Sequence, residues 1–116
     1  MLPYTYFEIP ESFRDRIVSG NVRRNIFLLL KESLHNIVKH AGAKNITIRA
    51  AITEELKLVI KDDGKGFSNN GGTKGNGLIN MKKRVQELNG SISFENDHGA
   101  AVIIHLPFDT NQRTIG

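Results

Sequence analysis

Element order predicts an α/β (α+β) two-layer sandwich, in which a mixed, largely antiparallel sheet carries its helices on one face. Two observations lead there. The candidate strands alternate apolar and polar residues, which leaves one face packed and the other wet. Stretches of helical periodicity stand between them, giving the order β-α-β-β-loop-α-β-β. No repeat and no linker divides the sequence.

Tyr4-Thr5-Tyr6-Phe7-Glu8 reads as a short first strand, closed by Pro10. A long helix follows over residues 20–41, and Gly42 ends it as a left-handed cap. At about 100° per residue, Val22, Ile26, Leu30, Ser33 and Ile37 form its apolar stripe. Glu32, Asn36, Lys39 and His40 fall on a second stripe bordering the first, whereas His35 points the opposite way, to water. Residues 45–51 and 56–61 alternate as an antiparallel pair, with Ile46, Ile48 and Ala50 against Thr47 and Arg49, then Leu56, Leu58 and Ile60 against Lys57 and Lys61. Residues 67–74 hold Ser, Asn, Gly and Thr without periodicity and read as a mobile loop. A second helix spans residues 76–88 and is stopped by Asn89-Gly90; residues 91–95 and 101–106 then form a hairpin turning at 96–99.

The chain has 116 residues, 39% hydrophobic and 24% charged, a balance suited to one soluble globular domain. Cysteine is absent, which excludes disulfides, thiolate metal sites and cysteine nucleophiles and fits a reducing compartment. The longest apolar run, residues 26–30, is far too short to span a bilayer, and residues 1–13 lack the pattern of a signal peptide. The formal charge of +4 is scattered, apart from Lys82-Lys83-Arg84. With no aromatic residues interleaved, that triplet reads as a solvated helix face, and no nucleic-acid partner is expected.

Three blocks carry candidate chemistry. The polar helix stripe is the first: the Asn36 amide oxygen is a hard neutral ligand suited to Mg²⁺, an ion that usually keeps waters and substrate phosphates in its shell. Glu32, one turn earlier, can orient or deprotonate a water or an acceptor group, and Lys39 and His40 can meet phosphate oxygens. Taken alone, this stripe reads rather as the polar border of an amphipathic helix. In the second block, Asp62 ends a strand, and Gly64 and Gly66 let the backbone turn tightly and approach a ligand. A carboxylate there can accept a hydrogen bond from the exocyclic amine of adenine, although Asp-Gly is also a common turn pair. In the third, Gly75 and Gly77 open the second helix, where free backbone amides suit phosphates. A plain loop-to-helix junction also favours glycine. Two other nucleotide motifs fail here. Gly66 and Gly71 have P-loop spacing and Thr73 falls at the Ser/Thr position, but Gly72 replaces the required Lys; Gly75-x-Gly77 meets Asn80 where a dinucleotide fingerprint has its third glycine.

Glu32-x-x-x-Asn36-x-x-Lys39-His40, then Asp62-Asp63-Gly64-Lys65-Gly66-Phe67, then Gly75-Asn76-Gly77-Leu78 resemble the N, G1 and G2 boxes of the GHKL ATPases. Within that superfamily they look most like the ATP-binding (HATPase_c) domain of bacterial two-component sensor histidine kinases, from about Arg23 to Pro107. The resemblance implies the Bergerat ATP-binding fold, with ATP and Mg²⁺ as ligands. It makes Glu32 the catalytic residue, Asn36 the Mg²⁺ ligand and Asp62 the adenine partner, with Asp63 a variable neighbour. It places Lys39, His40, Gly64, Gly66, Phe67, Lys74, Gly75, Asn76, Gly77 and Leu78 at the nucleotide as well. The gap from Phe67 to Gly75 is too short for a separate phenylalanine-rich box. With Gly-Asn-Gly-Leu-Ile-Asn-Met-Lys-Lys-Arg, ending at Arg84, it resembles the short-lid subfamily of nitrate and lipid-fluidity sensors. The segment Gly99 to Pro107 resembles the family's closing Gly-Thr-x-x-x-x-x-Leu-Pro, with Ala100 where threonine is usual.

A histidine kinase also needs a phosphoacceptor histidine, commonly followed by an acidic residue; the four histidines here precede Asn36, Ala41, Gly99 and Leu106. The resemblance therefore implies the catalytic, C-terminal piece of a longer kinase. Its expected partners are ATP or ADP, an upstream dimerisation domain bearing the histidine and, through the full-length kinase, a response regulator. The piece itself is expected to be a cytoplasmic monomer, its parent anchored in the inner membrane or not. Two other readings stay open, an anti-sigma-factor-like serine kinase and a degenerate ATP-binding regulatory module.

Overall fold

The computed structural model describes residues 3–10, 20–66, 76–96 and 98–107. Strand β1 (Tyr4–Glu8) precedes helix α1 (Gly20–Asn36), whose last turn widens into a π turn over Ile37–Ala41. Strands β2 (Asn45–Ile52) and β3 (Glu55–Asp62) follow, then helix α2 (Asn76–Glu87) and strands β4 (Ser91–Asn96) and β5 (Ala100–Pro107). The expected order is therefore observed, with most strand ends lying one residue beyond the expected bounds. The loop expected over residues 67–74 lies outside the described residues.

The sheet order is β1-β2-β3-β5-β4. Only β1 runs parallel to its neighbour, β2; the other pairs are antiparallel, which makes the sheet mixed. The pairing aligns one apolar row across the sheet: Ile48 faces Ile60 and Ala50 faces Leu58, then Leu58 faces Ile104 and Ile60 faces Val102, and finally Ile104 faces Ile92. Side chains on one strand alternate faces, so this register gathers the apolar residues on one side. Leu29 and Ile37 of the first helical segment and Met81 and Val85 of α2 complete the same core. Both helices thus cover one face, and Arg49, Lys57, Ser91 and Ser93 stay exposed on the other.

The apolar stripe of α1 needs one correction. Ser33 and Ile37 are buried as expected, but the fully buried leucine is Leu29, while Leu30 is half-buried. Leu29 lies one turn before Ser33, and the Ser33 hydroxyl donates to the Leu29 carbonyl at 2.8 Å. A hydroxyl satisfied this way enters the core without an unpaired polar atom. Gly42 caps the helix in the left-handed region, φ 62°, as expected. At the end of α2, Gly90 N–H donates to Val85 O and Asn89 N–H to Gln86 O, with Asn89 at φ 60°. This is a Schellman motif with asparagine in the position glycine usually takes. No described helix is long and apolar enough to cross a membrane.

Candidate nucleotide site

Strand periodicity delivers Asp62. The core-facing positions of β3 are Leu56, Leu58, Ile60 and then Asp62, whose ladder partner is Ile46. The last position of an apolar row is thus a carboxylate, 2% exposed. Burial of an acid requires hydrogen bonds. Asp62 Oδ1 accepts from Gly64 N–H at 2.7 Å and more weakly from Ala100 N–H at 3.4 Å. Both bonds fall on the same oxygen. Where the expected threonine is replaced by Ala100, the backbone at that position still reaches Asp62.

Two glycines make this turn possible. Gly66 has φ +80°, and a Cβ there would lie 2.7 Å from Asn96 Oδ1. Gly99 has φ +136°, and a Cβ would meet the Asp62 carbonyl oxygen at 2.0 Å. The β4–β5 turn is therefore pressed against the Asp62 turn, at a distance only glycine allows. Gly64, by contrast, contributes its N–H.

On α1, Glu32 and Asn36 are both half-buried, consistent with a border stripe, whereas His35 is exposed. Asn25 lies on the same row, seven residues before Glu32, and accepts from Arg84 Nη1 at 2.9 Å. Arg84 is thus half-buried between the helices, which corrects its reading as part of a solvated face. Farther along, Ser33 Oγ approaches Met81 Sδ at 3.8 Å. The two contacts run in opposite senses, so the N-terminus of α2 points toward the half of α1 that holds Glu32 and Asn36. The π turn changes the winding after Asn36, so the α-helical phase used for Lys39 and His40 does not extend to them. Lys39 is exposed; the His40 side chain, Phe67, Lys74 and Gly75 lie outside the described residues. Asn76 and Gly77 open α2, and Leu78 packs against the core.

The Asp62 turn, the β4–β5 turn and the end of the first helical segment lie at one end of the sheet, where β3 and β4 finish, β2 and β5 begin, and α1 hands over to β2. Among the described residues no three His, Asp or Glu side chains gather as a metal cluster. The Asn36 amide oxygen, on the half-buried border of α1, nevertheless fits Mg²⁺ delivered with a triphosphate, because that ion takes few protein ligands and completes its shell with phosphates and waters.

Sequence reasoning missed Asp63. Its carboxylate accepts from the N–H groups of Lys44 at 2.8 Å and Asn45 at 2.9 Å, and from Asn45 Nδ2 at 2.8 Å. These donors hold its carboxyl below the usual aspartate range, the Asn45 side chain and backbone leading. Asp63 is exposed, and only the three-dimensional pairing reveals the role.

Residues 21–110 match the family described as histidine kinase-, DNA gyrase B-, and HSP90-like ATPase. The chain belongs to that ATPase family. Within it, the chain is 38% identical over 91 residues to the signal transduction histidine-protein kinase/phosphatase UhpB of Salmonella typhimurium, covering 78% of this chain and 18% of that protein. It is 34% identical over 106 residues to DegS of Bacillus subtilis, another histidine-protein kinase/phosphatase, covering 87% of this chain and 28% of DegS. The chain therefore spans only 18–28% of these curated relatives' length. In fold it resembles the histidine kinase domain of the Erythrobacter litoralis EL346 blue-light activated kinase, with TM-score 0.78, 21% identity, and coverage of 98% of this chain and 55% of that one.

Proposed function

We propose that this chain is the ATP-binding catalytic domain of a sensor histidine kinase, one part of a longer protein. The observation that carries this reading is Asp62: a buried carboxylate at the end of a core strand, which accepts from the Gly64 and Ala100 N–H groups on Oδ1. Oδ2 then accepts from the exocyclic amine of adenine, and a buried charged acceptor selects an amine over the carbonyl that guanine presents. Asn36 holds Mg²⁺ with its amide oxygen, and the bound ion neutralises charge on the phosphates. Lys39, His40, Lys74, Gly75, Asn76 and Gly77 approach the phosphates, the last two through the N-terminal amides of α2. Gly64, Gly66, Phe67 and Leu78 shape the walls of the site.

In the transfer step, an imidazole nitrogen of a histidine on a separate dimerisation domain attacks the γ-phosphorus. A P–N bond forms, the P–O bond to the β-phosphate breaks, and ADP departs. Glu32 orients that imidazole or takes its proton. The phosphoryl group then passes to a response regulator. The domain acts in the cytoplasm and is monomeric by itself, and its pairing comes from the dimerisation domain.

Calorimetry with Mg-ATP and Mg-GTP tests the reading. Binding of the adenine nucleotide in preference to the guanine one is expected; equal affinity, or none for either, would falsify it.

A further inference from the structure

The side chain of Asp63 ties the end of β3 to the start of β2. Besides accepting from Lys44 and Asn45, Asp63 donates its own N–H to the Asn45 carbonyl at 3.2 Å. The Lys44 carbonyl in turn accepts from Tyr4 N–H at 2.9 Å. The carboxylate therefore clamps the end of β3 to the start of β2, and the start of β1 is tied on one step away, through the Lys44 carbonyl. The three bonds to the carboxylate are charge-assisted and reach both of its oxygens, so they fix direction as well as distance.

Both sides of this node belong to the candidate site. Downstream of Asp63 runs the turn of Gly64 and Gly66, which has little side-chain mass to pack and must be fixed at its ends. The Asp62 bonds hold its inner end. Upstream of Lys44 lie Ala43 and the left-handed cap at Gly42, hence the π turn that carries Lys39 and His40. We infer that Asp63 is a positioning residue that sets the adenine-side turn against the phosphate-side end of α1. It touches no part of the nucleotide. The inference rests on the ATP-binding reading above, and its test separates the two.

Mg-ADP binding by the 116-residue chain is measured by calorimetry at a temperature where circular dichroism shows each variant folded. Asp63→Ala, which removes the side-chain acceptors, should weaken Mg-ADP about tenfold. Asp63→Asn keeps one oxygen for the two backbone donors and should recover most of that affinity. A purely structural role would lower the melting temperature and leave the affinity of the folded variant unchanged. If folded Asp63→Ala binds like wild type while Asp62→Asn does not, the inference falls and the ATP reading stands. If the wild-type chain binds no Mg-ADP, the ATP reading falls first; if it binds and neither substitution matters, the inference falls. Should Asp63→Ala not fold, the wild-type chain decides by NMR. Adenosine should shift the amide resonances of Lys44 and Asn45 together with that of Gly64; movement of Gly64 alone overturns the inference.

Discussion

Asp62 and Asp63 are neighbours with opposite surroundings, one 2% exposed and facing the core, the other in water and bound to another strand. Their substitutions should therefore differ in kind. Asp62→Asn should weaken adenosine binding by about one to two tenfold steps, through loss of a charged acceptor, and calorimetry reads this directly. Asp63 should instead show itself in the acid limb of stability. Its folded-state pKa lies below the unfolded value, because three hydrogen bonds favour the carboxylate. The stability it contributes is thus present above the unfolded value and is lost as pH falls through the folded one. Urea midpoints measured across that acid range should fall less steeply for Asp63→Asn than for wild type. Of this pair, only Asp62 was legible in the sequence. Its place at the end of an alternating strand and before Gly-x-Gly is local, whereas Asp63 depends on amides 18 and 19 positions away.

At the level of elements, α1 is the instructive case. A period near 3.6 residues identified its buried side, and Ser33 and Ile37 confirm it, but two apolar candidates one residue apart, Leu29 and Leu30, cannot be ranked by period alone. The packing of Met81 against Ser33 settles the ranking in favour of Leu29. Arg84 was misread for a related reason: a charged triplet looks uniformly wet until a partner helix lies beside one member. The π turn escaped because its insertion depends on how the chain leaves for β2, which no local pattern encodes. Glu32 and Asn36 precede that turn and share the half-buried border of α1, which is where the proposed chemistry sits. Asn36→Ala should abolish magnesium-dependent triphosphate binding and leave adenosine binding nearly intact, as separate titrations of the two ligands will show. His35→Ala, on the exposed side, should change neither.

Across the whole molecule, no histidine has the sequence context of a phosphoacceptor, so purified chain and radiolabelled ATP should yield no stable phospho-protein. Adding a dimerisation domain from the same parent should restore labelling, on the partner's histidine. Glu32→Gln should depress that transfer more than ATP affinity, since an orienting acid acts mainly in the transition state. Stable labelling of the chain at His40 would overturn the division of labour. The strand order also has a bearing on how the protein is made. β5 comes last of the five strands in sequence, yet it lies between β3 and β4. A chain still emerging from the ribosome therefore presents β3 with an open, apolar edge, a surface prone to mispairing. The backbone atoms that brace Asp62, at Gly99 and Ala100, arrive at the same late moment. A chain truncated after residue 96 should be readily cut by protease and blind to nucleotide, and restoring the next eleven residues should bring protease resistance and nucleotide binding in together.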